Sequence, residues 1–154
     1  MESWRSNATR AFGSKNHVMF GTASAFFFEH VVGLRQETRA GREAVLVAPQ
    51  PHLIRDHLTG ASAQQQFEGG RVTAAWSWAV GEQQWHLNVS VAPGLEATTR
   101  LHCHARGTIM EGSTVLWQHN SFVAGVDGVT RAAAVRDAVE ISHGSGSYSF
   151  HIAL

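Results

Sequence analysis

The side chains that could do chemistry in this sequence fall into a few small groups. His102-Cys103-His104 has the composition of a metal site. On a strand, however, successive side chains point to opposite faces, so His102 and His104 share one face and Cys103 takes the other. At most two of them can meet one ion, whereas zinc takes three or four protein ligands, and no partner pair stands at ligand spacing. No metal and no cofactor are expected. Trp76 and Trp78 share a strand face and could stack on a sugar ring. Val72 and Val80 lie on that same face, which makes it a core face. Trp85 reads the same way, and Trp117 is expected to be more open. Gly144-Ser145-Gly146 is a hairpin turn rather than a phosphate loop, because no lysine follows and no helix starts there. Asn7-Ala8-Thr9 and Asn88-Val89-Ser90 are formal glycosylation sequons, meaningful in a secreted protein. Near the start stand Glu2, by itself an ordinary solvated carboxylate, and Asn16-His17, by themselves a capping pair.

The elements that must position these groups can be read from periodicity. Met1 to Phe12 is polar and irregular, with Trp4 and Phe12 as anchors. Ser14 is a plausible N-cap for a helix over Lys15 to Val32, with Gly33 near its C-terminal end. Eighteen residues would make about 27 Å of helix. Its apolar residues, among them Val18, Phe20, Phe26, Phe27, Phe28, Val31 and Val32, crowd nearly every face. A helix apolar all round is expected to be buried. Glu37 to Arg42 is charged and turn-like, and from there the pattern changes to strands.

Glu43 to Ala48 reads as a short strand stopped by Pro49-Gln50-Pro51. His52 to Leu58 is a strand or a turn of helix, and Ala61 to Glu68 is a polar strand running into the turn at Gly69-Gly70. Val72, Ala74, Trp76, Trp78 and Val80 alternate, as do Trp85, Leu87, Val89 and Val91. Further strands are expected over Thr98 to His104, Ser113 to His119, Ala134 to Ile141 and Ser147 to Ile152. Short alternating strands separated by Gly and Pro predict a mainly β chain, an antiparallel sandwich of about seven to nine strands behind one long apolar helix.

Composition bounds the rest. The chain has 154 residues, a formal net charge of zero and only 16% charged residues, so neither a nucleic-acid binder nor an anionic-membrane binder is expected. One cysteine cannot make an internal disulfide, and Met1 to Arg10 has no apolar leader; these features leave the location open and lean toward the cytoplasm. Val18 to Leu34 is short for a membrane span and carries Glu29 and His30.

Three stretches resemble the C-terminal part of the family 78 α-L-rhamnosidases. Met-Glu-Ser-Trp at Met1 to Trp4 is similar to the family's W-E-x-W, with methionine leading. Ser14 to Gly21, SKNHVMFG, is similar to its S-x-N-H-x-x-x-G. The pair formed by Ala48 to Pro51 and Gly144 to Phe150 is similar to the proline-rich entry and the closing S-G-x-Y-x-F strand of a small sandwich that follows the family's helical barrel. The resemblance implies a C-terminal fragment. Residues 1–36 would be the end of an (α/α)6 catalytic barrel, its last helix included, and residues 37–154 the terminal β-sandwich.

The resemblance also implies roles. Glu2 takes the place of the general base of an inverting glycosidase, a carboxylate that activates water about 6.5–9.5 Å from the general acid. His17 takes the place of a rhamnose-contacting histidine, and Asn16 would support it. The general acid and the rest of the sugar pocket belong to an earlier region of the family. The parent is therefore expected to hydrolyse terminal α-L-rhamnose from rhamnose-containing glycosides, and this chain alone to hydrolyse nothing. The competing expectation is a non-catalytic β-sandwich module that binds carbohydrate or protein. In either case an apolar helix over 15–32 must pack on the sandwich or self-associate, because its exposure would leave a large hydrophobic patch.

Overall fold

A computed structural model describes residues 19–39, 42–51, 54, 56–78, 84–103, 107–123 and 125–153. A helix α1 (Met19–Phe26) continues into a wide π-helical turn, Phe27–Val32. Twelve strands follow among the described residues: β1 (Leu34–Arg39), β2 (Arg42–Val47), β3 (Gly60–Phe67), β4 (Gly70–Trp78), β5 (Gln84–Val91), β6 (Ala97–His102), β7 (Thr108–Glu111), β8 (Thr114–Gln118), β9 (Ser121–Phe122), β10 (Val129–Val135), β11 (Ala138–His143) and β12 (Gly146–Ala153). They form two sheets. One has the order β1-β2-β6-β11-β10 and the other β3-β4-β5-β12-β7-β8-β9. The chain is mainly β, and β2–β6 is the one parallel pair among the described strands; the rest are antiparallel.

The alternation read from the sequence explains the core. Val72, Ala74 and Trp76 of β4, Trp85, Leu87, Val89 and Val91 of β5, and Tyr148, Phe150 and Ile152 of β12 are all buried. They meet Val45 and Val47 of β2, Leu101 of β6, and Val139 and Ile141 of β11 from the other sheet, in one cluster. Side chains of this size contribute roughly 1.5–3 kcal/mol each when fully buried, so these alternating runs hold the two sheets together. Trp78 is half-buried, with its indole N–H donating to the Pro51 carbonyl at 3.3 Å. Val80 lies outside the described residues.

Several expectations need correcting. The long helix buried on all faces is not what forms. The described helical stretch runs from Met19 to Val32, and Thr22 to Phe27 are exposed. Among the described side chains of the helix, only Val31 and Val32, at its end, enter the core. Apolar content alone did not say what would cover the helix. Glu37 to Arg42, taken as a turn, instead lies largely in strands, since β1 reaches Arg39 and β2 begins at Arg42. β1 is an edge strand, so its outer positions stay polar and hide the period-2 signal. Ala134 to Ile141 is two strands, with β10 and β11 meeting at Arg136-Asp137. Trp117, expected to be open, is 3% exposed, because β8 turns it into the shared core beside its cross-strand neighbour Ile109. The strand count exceeds the expected range for the same reasons. His52 to Leu58 is a turn where it is described, with Leu58 N–H donating to Ile54 O at 2.8 Å.

Among the described residues, no helix is long and apolar enough to cross a membrane.

Candidate functional site

The three residues assigned site roles, Glu2, Asn16 and His17, lie outside the described residues, as do Ser14 and Asn7. The structure does describe the place where that N-terminal segment joins the sandwich.

The junction is built from the helix end. Gly33 sits at φ 86°, ψ 16°, a left-handed conformation that favours glycine, and its N–H donates to Phe28 O. Its own carbonyl accepts from Ala48 N–H at 2.8 Å, which ties the helix end to the end of β2. A side chain at Gly33 would run into the backbone of Ala48 and Pro49. Two further helix-end carbonyls find side-chain donors. The Trp76 indole N–H, buried at the sheet interface, donates to Val31 O at 2.8 Å. Arg35 Nε donates to Glu29 O at 2.8 Å, and its Nη2 stands 3.1 Å from His30 Nδ1. Trp76 is therefore both core and cap. Its role as a sugar platform falls away, since it is 2% exposed.

Beyond this junction the helix leaves the sheet. Phe26 and Phe27 are each 56% exposed and meet edge-on at 6.0 Å between ring centroids. His30 packs against Phe26 at 5.2 Å. Large aromatic side chains side by side in water form a surface that a partner would cover.

A second feature lies on the outer face of the seven-stranded sheet. Thr73, Asn88, Ser90, Glu111, Ser147 and Ser149 line a shallow depression of about 350 Å³. Ser90 and Ser147 hydroxyls stand 3.3 Å apart across the β5–β12 pair, and Glu111 Oε1 accepts from Ser149 N–H at 3.2 Å. An adjoining depression of about 350 Å³ shares Glu111 and Ser147 and adds Thr114 and Asp127. Asn88, of the second sequon, is exposed on this face. The periodicity that assigned the inner residues marks this face too, as the polar half of β5 and β12, but not its concavity.

The remaining candidates resolve individually. Cys103 is buried, and burial raises its thiol above the ordinary value, which keeps it protonated. His102 stays partly exposed on the other side, with Nδ1 3.5 Å from Asp137 Oδ2. His104 lies outside the described residues. Among the described residues, no three His, Cys, Asp or Glu side chains come together as metal ligands. Gly144-Ser145-Gly146, expected as a hairpin turn, instead carries the chain from β11 in one sheet to β12 in the other, and the Tyr148 hydroxyl donates to Gly144 O there at 3.1 Å.

Sequence reasoning missed His143. It is 2% exposed and packs against Tyr148 with ring centroids 4.3 Å apart and planes tilted by 53°. Its Nδ1 lies 3.3 Å from Gly144 O, and its Nε2 2.8 Å from Thr99 Oγ1. A carbonyl can only accept, so Nδ1 carries the proton and Nε2 accepts from the threonine hydroxyl. Burial lowers the pKa from 6.5 to about 4, against a smaller upward pull from Gly144 O. Burial, then the nearby Glu111 carboxylate, raises the Tyr148 phenol. Both rings stay neutral and serve as structure.

No family model and no curated protein matches the chain. Solved structures do. An α-L-rhamnosidase from Dictyoglumus thermophilum aligns with 98% of this chain at a TM-score of 0.71 and 22% identity. The fold is that of a rhamnosidase segment. A Streptomyces avermitilis α-L-rhamnosidase, solved in complex with L-rhamnose, aligns with 88% at a TM-score of 0.58 and 21% identity. The chain spans only 16% and 11% of those two proteins. The rhamnosidase-like sandwich and the helix leading into it therefore correspond to a small part of much larger chains.

Proposed function

We propose that this chain is the C-terminal sandwich, with its lead-in helix, of an inverting α-L-rhamnosidase-like glycoside hydrolase. The observation that carries this is the fold likeness, which takes in 98% of this chain but 16% of the rhamnosidase it resembles. The helix supports it, anchored at its last turn and aromatic and exposed just before that turn. In this reading residues 1–36 continue a helical catalytic body and residues 37–154 close it off, the divide falling inside β1. The other helices of that body cover Phe26 and Phe27. Glu2 is the base that takes a proton from the attacking water, His17 contacts rhamnose and Asn16 supports it. The general acid stands elsewhere in the parent, so the two-carboxylate mechanism needs more than these residues.

Two assays test this. The 154-residue chain, offered a chromogenic α-L-rhamnoside, is expected to release no product above the uncatalysed rate; turnover would overturn the fragment reading. Titrated with L-rhamnose, it is expected to bind more tightly than His17→Ala. Equal or absent binding in both would remove the sugar contact from His17.

The outer-face depression favours a second reading, a carbohydrate-binding module. Its exposed lining is mostly apolar, which suits the C–H face of a sugar ring, and hydroxyls, an amide and a carboxylate stand around it to meet a polyhydroxy ligand. Glycan binding that survives His17→Ala and fails in Asn88→Ala would favour it.

A further inference from the structure

The outer face of the seven-stranded sheet carries a row of side chains that neither reading uses. Antiparallel register sets Ser77 opposite His86, His86 opposite His151, and His151 opposite Met110, on β4, β5, β12 and β7 in turn. Residues directly opposite in such pairs point to the same side of the sheet, with Cβ atoms about 4.5–5.5 Å apart. His86, His151 and Met110 therefore form one contiguous set across three strands. The imidazoles of His86 and His151 already touch, edge to face, with centroids 4.4 Å apart and planes at 87°. Both histidines and Met110 are half-buried, which holds them in place and leaves them reachable from solvent. Each ring packs against the other.

Two borderline imidazoles beside a soft thioether select a soft ion. Imidazole suits several transition metals, but a thioether favours monovalent copper over zinc, calcium or magnesium. The set contains no carboxylate, so it offers nothing to a hard cation. Three neutral donors on adjacent strands suit an ion content with low coordination. Zinc in a structural site wants a fourth ligand.

We propose that His86, His151 and Met110 form a surface site for monovalent copper. The two imidazoles supply most of the affinity, and the Met110 thioether supplies the selectivity. The site is independent of rhamnoside hydrolysis and of the outer-face depression.

The test uses the 154-residue chain, free of any histidine tag, under anaerobic reducing conditions. Copper(I) is partitioned between the protein and a chromogenic copper(I) chelator. One equivalent is expected to move to the protein. His86→Ala and His151→Ala should each weaken binding at least about tenfold, a loss of roughly 1.4 kcal/mol. Met110→Leu should weaken copper(I) binding while leaving zinc(II) binding, read in a parallel titration, unchanged. All three positions are on the sheet surface, and circular dichroism with thermal melts verifies that each variant folds. Failure to withdraw copper from the chelator would overturn the proposal. So would copper binding unmoved by either histidine substitution, which would place the ion elsewhere, at Cys103 for example. Copper binding indifferent to Met110→Leu would overturn the thioether's role.

Discussion

At the scale of single residues, His143 makes stability depend on pH in a defined direction. The histidine ring titrates near 6.5 in the unfolded chain and near about 4 in the folded one. Between those values the unfolded chain holds a proton that the native state refuses. Stability therefore rises with pH across that window, is fully present above 6.5, and is lost as the pH falls toward 4. The shift corresponds to about 3 kcal/mol in all. Chemical denaturation of the wild type and His143→Gln between these pH values checks it: the difference between the two should shrink steadily as the pH falls. A constant difference would mean that the buried imidazole is not what titrates.

Arg136 is a second residue-scale case. It turns β10 into β11 at φ 56°, a left-handed conformation in which a side chain costs roughly 1–2 kcal/mol. The first central position of such a two-residue hairpin turn is where glycine is preferred. Arg136→Gly is expected to raise the denaturation midpoint by the equivalent of about 1 kcal/mol, since glycine returns some of the strain as unfolded-state entropy. A lowered midpoint would show that the arginine side chain contributes more than its backbone costs.

At the scale of elements, the helix is held by its last turn and little else. Gly33→Ala would force a Cβ into the Ala48–Pro49 backbone at a left-handed residue, and should cost at least about 2 kcal/mol. Trp76→Phe keeps most of the buried ring but drops the bond to Val31 O, and should cost about 1 kcal/mol. Native-state hydrogen exchange separates the two effects. Trp76→Phe should speed exchange in Phe27–Val32 while the β4 and β5 amides stay protected. Equal acceleration everywhere would mean that the indole supports the sandwich and not the helix.

The same elements show what the sequence made legible. β4, β5 and β12 were readable because each buries one face and wets the other, so Trp85 and His86, or Phe150 and His151, differ in kind. β1 was hidden because an edge strand with Leu34 buried and Arg35 to Thr38 outside the core lacks the alternation. The β10–β11 turn was hidden because Arg136-Asp137 carries no glycine or asparagine. The helix misled because Phe26, Phe27, Val31 and Val32 look alike in sequence, yet one pair is exposed and the other buried. Of the candidate site, Glu2, Asn16 and His17 rested on motif resemblance throughout. The outer-face depression and the His86–His151–Met110 row required strand register, which no single strand reveals.

At the scale of the whole molecule, the sandwich buries its own core while the helix leaves its aromatic face in water. The two sheets share one core to which Val31 and Val32 belong. Phe26 and Phe27 project beyond it, and the proteins of like fold are several times longer than this chain. In the proposed function this aromatic surface is made for the helices of a larger body. Without that body, copies of the chain should cover it with one another. Sedimentation velocity over a range of concentrations, on the wild type and on Phe26→Ser/Phe27→Ser, measures this most directly. Concentration-dependent association of the wild type and a monomer for the double variant are expected, with equal folding by circular dichroism. A wild type that stays monodisperse and monomeric at every concentration would contradict it.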